Sequence, residues 1–226
     1  MNVLHSEDGK FNFLISDLPK RYRANCKQGC FLDSGIATKA AGNLSKIQSL
    51  GGDKGDFVEA VVVGTQHRIL TFEPHYIQEE FIEIWCFPVA GKMAISPTAS
   101  QLSTFLLHRQ RMDGFRSIGN ELSEVAFLEW LQTGKEEDPV TFAESAVRKA
   151  FESNIFRFEF VPKTSSKYGN YFAVSTSTRQ PKSDLEKAAL KLIDEARFFC
   201  IDPAIDQNHQ NCLKDIELQQ KQLTDR

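Results

Sequence analysis

Residues 155–179 read IFRFEFVPKTSSKYGNYFAVSTSTR, and this stretch carries the clearest backbone signal in the chain. Phe156, Phe158 and Phe160 alternate with Arg157 and Glu159, the two-residue repeat of a strand with one buried and one solvated face. KTSSKYGN (163–170) supplies loop residues, and YFAVSTSTR (171–179) resumes as strand, so the unit reads as a hairpin with a long basic tip. After Pro181, Ser183 and Glu186 stand at capping-box spacing. They open a helix through SDLEKAALKLIDEARFF (183–199), with Leu185, Ala188, Ala189, Leu192 and Ala196 on one face.

Upstream, FVEAVVVG (57–64), HRILTF (67–72) and FIEIWCFPV (81–89) are rich in the β-branched and aromatic residues that favour strands. Gly64-Thr65-Gln66 reads as the turn of a hairpin between the first two. Phe81–Val89 is apolar on both faces apart from Glu83, the pattern of a central strand. FNFLISDLP (11–19) and CFLDSGI (30–36) predict two short strands in the weakly periodic N-terminal region. From Ser96-Pro97, the spacing of Leu102, Phe105, Leu106 and Met112 predicts a helix, with Arg109 and Arg111 near its C-terminal end. Gly114 and Gly119 bracket a loop, and NELSEVAFLEWLQTG (120–134) and PVTFAESAVRKAFES (139–153) predict two further helices. The fold class is therefore α+β: a curved antiparallel sheet or partly open barrel of about six strands, with three or four helices at its side. Residues 1–200 read as a single domain, and 201–226 as a polar tail that is mobile or a short helix.

At 226 residues, with 41% apolar and 25% charged side chains, the chain can bury a core without disulfides or metal. Collagen-like, disulfide-framework and wholly disordered classes are excluded. No apolar run approaches the ~18–20 residues that cross a bilayer. MNVLHSEDGK lacks the basic and apolar regions of a secretory signal, and an odd count of five cysteines suits reduced thiols, so the expected location is cytoplasmic. Cys26 and Cys30 have no second pair at zinc-ligand spacing, and no metal or other cofactor is expected.

The formal charge of −3 is nearly balanced but segregated. Lys20, Arg21, Arg23 and Lys27 face Asp17 alone between 17 and 30, while residues 121–144 hold seven acids against Lys135. No nucleophile elbow, HExxH, paired CxxC or dinucleotide fingerprint occurs. Lys54 precedes Gly55 and Asp56 and is followed by strand, which is not a P-loop. His67 and Glu59 read as a structural contact across the expected hairpin, and Glu79, Glu80 and Glu83 lack calcium-loop spacing. The chain is expected to be non-enzymatic.

Lys163, Lys167, Tyr168, Tyr171, Arg179 and Lys182 lie in or beside the 155–182 hairpin. Cations attract a phosphate backbone and flat rings stack on unpaired bases, so together they point to single-stranded DNA or RNA. Arg21 and Arg23, beside Lys27, and Arg111 and Arg116, beside His108, are two further basic patches that could extend the path. The competing reading makes the phenylalanines core and the lysines solubilising. The chain would then be a protein–protein scaffold or phage structural component that binds no nucleic acid.

Residues 155–196, with KTSSKYGNYFAVSTSTRQPKSDLEKAALKLIDE at their centre, resemble the strand–basic loop–strand–helix stretch of phage- and plasmid-type single-stranded-DNA-binding proteins. The resemblance implies an oligonucleotide-binding-like barrel crossed by a basic hairpin, with no catalytic residue. The chain is further expected to be a homo-oligomer or part of a larger nucleoprotein assembly. Lys214, Lys221 and Arg226 leave the C-terminus mixed in charge, unlike the acidic tails of many bacterial single-strand binders.

Overall fold

The computed structural model describes residues 2–17, 20–36, 52–72, 76–108, 113–133, 138–166 and 169–224. The strands of the first half are β1 (Asn2–His5), β2 (Asn12–Ile15), β3 (Lys20–Asn25), β4 (Cys30–Ile36), β5 (Phe57–Phe72), β6 (Tyr76–Gly91), β7 (Ala99–Gln101) and β8 (Ser103–His108). Helices α1 (Asp113–Thr133) and α2 (Pro139–Phe151) follow, then the hairpin β9 (Ile155–Ser165) and β10 (Gly169–Arg179). The chain ends in α3 (Asp184–Lys191), α4 (Ile193–Arg197) and α5 (Pro203–Thr224).

Seven strands form one sheet in the order β10-β9-β5-β6-β8-β3-β4, and β1-β2-β7 form a small second sheet. The class is α+β, as the sequence implies, with the large sheet curled into a half-barrel. It is not purely antiparallel, because β3 runs parallel to β8. The curl brings its two edges together. Phe31 of β4 lies edge-on to Phe105 of β8 at 5.4 Å and to Phe160 of β9 at 4.9 Å. The backbone N–H groups of Phe31 and Phe160 donate to the carbonyls of Gly55 and Asp56, each at 2.8 Å.

Both faces of the sheet are covered. One buries Val58, Ile84, Phe105, Phe156 and Phe158 under Phe115 of α1. The other buries Val61, Val63, Trp85 and Phe87 beneath Leu185 and Ala189 of α3, Ile193 and Ala196 of α4, and Phe13 and Ile15 of β2. Two-sided burial explains the main departure from the sequence reading. Residues 99–108 are strands β7 and β8, not the expected helix. A strand apolar on both faces loses its alternation and mimics helical spacing by chance. Ser96-Pro97 opens a turn instead, with the Ser96 hydroxyl accepting from the Thr98 N–H at 3.2 Å.

The expected turn at Gly64–Gln66 is likewise absent, and β5 runs unbroken through it. Gly64 sits at a register shift against β6, where Val62 pairs with Cys86 and Gly64 with Trp85. A bulge of this kind bends a long strand without reversing it. Glu59 and His67 therefore lie on the same strand and do not face each other. Helix α1 starts at Asp113, so Gly114 and Gly119 are helical and not loop residues. Gly114 packs where a Cβ would come within 3.3 Å of the Thr176 backbone nitrogen. The helix expected over 183–199 begins with the Ser183–Glu186 capping box and breaks at Leu192 into α3 and α4.

The polar C-terminal stretch forms a helix, α5, that lies on β5. Strand β9 pairs with β5 only over Phe57–Ala60, and among the described residues the rest of that edge has no strand partner on this side. Side chains take the partner's place. Asn208 accepts from the Thr71 N–H at 2.9 Å and donates to its carbonyl at 3.0 Å. His209 Nδ1 accepts from the Ile69 N–H at 3.0 Å, and Arg197 Nε donates to the Val63 carbonyl at 3.1 Å. Covering an exposed edge in this way blocks pairing with foreign strands.

Buried charges tie the same region together. Arg21 of β3 donates from Nε and Nη2 to the Asp202 carboxylate at 2.9 and 2.6 Å. Arg68 of β5 donates to Glu83 of β6 at 2.8 Å and to Asp206 of α5 at 2.6 Å. Burial pushes the Glu83 carboxyl up to about 7; Arg68 opposes the shift, and Asp202 and Asp206 add to it. A carboxyl whose folded pKa lies above its unfolded value binds its proton more tightly in the native state. Stability therefore falls as pH rises from the ordinary Glu range to about 7, by on the order of 3 kcal/mol for a shift of this size. Glu83→Gln keeps an oxygen for Arg68 and removes the titration. Urea midpoints measured between pH 4.5 and 8 should fall in the wild type relative to the variant; parallel curves would refute the assignment.

Candidate nucleic-acid interface

The basic hairpin is built as the alternation dictates. Lys163 pairs with Tyr171 across β9 and β10, so the two side chains share a face. Phe172, one position on, turns to the opposite face and packs on the phenylalanine core. The Thr164 hydroxyl reaches the Asn170 side chain at 3.1 Å and stiffens the tip. Lys163 is exposed and forms no ion pair with any described residue, and the same holds for Lys182. Lys167 and Tyr168, expected at the tip, and Arg111 of the third patch lie outside the described residues.

The β3–β4 turn meets this hairpin. The Phe172 N–H donates to the Cys26 carbonyl at 2.9 Å, a single backbone bond between β10 and the turn. The Asn25 side chain folds the turn by accepting from the N–H groups of Lys27 and Gln28 at 3.1 and 3.2 Å. Gly29 has φ of +70°, and a Cβ there would stand 2.7 Å from the Phe172 ring. Only glycine meets both demands, the left-handed backbone and the close approach. Lys27 thus sits one residue from the carbonyl that holds Phe172, and Tyr171 one residue from Phe172 itself. Lys27 and Arg23 are exposed and unpaired among the described residues. The first basic patch and the hairpin therefore adjoin.

Other expected contacts are spoken for. Arg21 is buried against Asp202 and cannot reach a phosphate. Arg179 lies between Glu59 and Glu186. Its hydrogen bonds hold Glu59 below the ordinary carboxylate range. Burial alone would raise Glu186, but Arg179 and the backbone N–H groups of Lys182 and Ser183 hold it at about 2. Arg21 and Arg179 are thus structural ties and leave the candidate set. Lys20 pairs with Asp33 at 2.6 Å, and His108 is buried with its ring 5.0 and 5.1 Å from those of Tyr76 and Phe81. Arg116 stays exposed, 3.6 Å from Glu80.

The exposed cations that remain are Lys163, opposite Tyr171 on the hairpin, Arg23 and Lys27 in and beside β3, and Lys182 beyond the far end of β10. Sequence spacing named the hairpin members, while the closeness of Lys27 came only from the curl of the sheet. Arg179 and Glu186 could have been matched from sequence, since the capping box fixes Glu186 just beyond the end of β10. Among the described residues no three His, Cys, Asp or Glu side chains converge to hold a metal ion, and no helix is long and apolar enough to cross a membrane. Comparison with protein-family models, curated proteins and solved structures finds no match for this chain.

Proposed function

We propose that this chain is a non-enzymatic, cytoplasmic protein that binds single-stranded nucleic acid along Arg23, Lys27, Lys163 and Tyr171, with Lys182 at the margin. The observation that carries the reading is the Phe172–Cys26 bond, which brings the turn bearing Lys27 against the hairpin on which Lys163 faces the half-exposed ring of Tyr171. Cations that no carboxylate neutralises are free to displace counterions from phosphates, and the ring offers a stacking platform for any base. No base-reading geometry is needed, so binding tolerates sequence variation.

The test is a salt series of fluorescence anisotropy titrations with a labelled oligonucleotide of about 16 nucleotides. Tyr171→Ala should cost about 1–3 kcal/mol, roughly 5- to 150-fold in Kd. Lys27→Ala and Lys163→Ala should each lower the slope of log K against log salt by about 0.7. Affinity that ignores salt, or that survives the triple substitution unchanged, would remove this reading. The scaffold alternative would then stand.

A further inference from the structure

Helix α5 is held to the sheet by few apolar contacts. Over its 22 residues, Ile205 and Cys212 alone bury an apolar side chain among the described residues. What fixes the helix is polar: Asn208 and His209 on the backbone of Thr71 and Ile69, and Asp206 on Arg68. Arg68 is shared. Its Nε donates to Glu83 of β6 at 2.8 Å and its Nη2 to Asp206 of α5 at 2.6 Å, one guanidinium between two carboxylates. The neighbouring Arg21 is committed to Asp202 at the start of the helix.

The cluster therefore sets three carboxylates against two guanidiniums among the described residues, and one added proton balances it. Glu83 is the place for that proton. It is fully buried, and its Oε1 meets no hydrogen-bond donor among the described residues, which a neutral carboxyl tolerates far better than an ionised one. The other groups nearby leave the count unchanged. Gln66 lies opposite on β5, Cys200 is a thiol whose ionisation burial opposes, and Glu79 and His108 stand 3.5 Å from each other further along β6 and β8.

Ionising Glu83 shifts the balance against the helix. The new charge draws Arg68 toward β6 and repels Asp202 and Asp206, both of which α5 carries or follows. With α5 lifted, water reaches Glu83 and its carboxyl returns to the ordinary range. The released state then binds the proton less tightly, so rising pH favours release. His209 acts in the opposite sense, because its Nδ1 accepts from the Ile69 N–H only while it carries no proton.

We propose that α5 is a proton-controlled cover: ionisation of Glu83 takes Arg68 from Asp206 and frees the helix from the β5 edge, baring the backbone of Ile69 and Thr71. The proposal does not depend on the nucleic-acid reading, whose residues lie elsewhere on the fold. The test is amide hydrogen exchange of the full chain, read residue by residue and corrected for the intrinsic effect of pH. Between pH 6 and 8.5 the protection of the Ile69 and Thr71 amides should fall about tenfold more in the wild type than in Glu83→Gln, for a proton held at about 7 in the docked state. His209 titrates in both proteins and cancels. Urea well below the unfolding midpoint should leave these two amides nearly unaffected, the mark of local opening, while it speeds exchange in the β9–β10 ladder. Asp206→Asn, at a half-exposed position, should speed exchange of the same amides about fivefold already at pH 6, with unchanged far-UV circular dichroism. Parallel pH curves for wild type and Glu83→Gln, or indifference to Asp206→Asn, overturn the proposal. So does exchange of Ile69 and Thr71 with the urea dependence of the β9–β10 ladder, which would make their opening part of global unfolding.

Discussion

Arg21→Ala is expected to cost about 3–5 kcal/mol of stability, read as a lowered urea midpoint, because it strands a buried carboxylate. Asp202 is fully buried, so water cannot replace the guanidinium that now meets it. Its Oδ1 also accepts from the N–H groups of Ala204 and Ile205, each at 3.2 Å, and so starts α5. Losing the arginine therefore loosens the helix that covers β5 as well as β3 itself. The pair Arg21→Met with Asp202→Asn separates the two effects. Asparagine keeps the cap, neither residue is charged, and most of the lost stability should return. A double variant as unstable as Arg21→Ala would mean that packing, and not stranded charge, sets the cost.

Phe31→Ala should lose a similar amount, about 3–5 kcal/mol, through the transfer and cavity terms of a fully buried ring. Its position gives the loss a second consequence. Phe31 sits between Phe105 on β8 and Phe160 on β9, so it joins the two edges that the curl brings together. Without the ring, the turn bearing Lys27 is free to part from the hairpin bearing Lys163 and Tyr171. Oligonucleotide affinity of the still-folded fraction should then fall to about that of Lys27→Ala, which is measurable at low temperature by anisotropy. Phe87→Ala removes an equally buried ring from the opposite face of the sheet and is the control. It should cost stability without touching affinity. Loss of affinity in both variants to the same degree would uncouple the closure from binding.

What the sequence disclosed, and what it hid, follows the range of the interactions. The β9–β10 hairpin, α2 and the Ser183 cap depend on neighbours within a few residues and stand close to where alternation or spacing places them, although β9 runs on to Ser165 and β10 starts at Gly169, through most of the expected 163–170 loop. Strand β8 failed because its surroundings, not its own pattern, decide it: Phe105 and Leu106 belong to different cores, and no solvated face is left to mark the period. Strand β3, KRYRAN, gave no apolar signal at all, and Arg21 is buried only because Asp202 waits 181 positions away. Arg179 has one partner out of reach of sequence, Glu59, 120 positions upstream, and one within it, Glu186, seven positions on. Charge in a sequence shows where attraction is available, but only the fold shows which of it is already spent.

Strands β9 and β10 are joined to each other over eleven residue pairs, yet β9 is joined to β5 over four. Mechanically this is a stiff arm on a short root, fastened at its outer end by one amide-to-carbonyl bond and one ring laid on a glycine. Lifting that end breaks far fewer backbone bonds than unzipping β9 from β10. The tip can therefore part from the β3–β4 turn while β9 and β10 stay zipped to each other along their whole length.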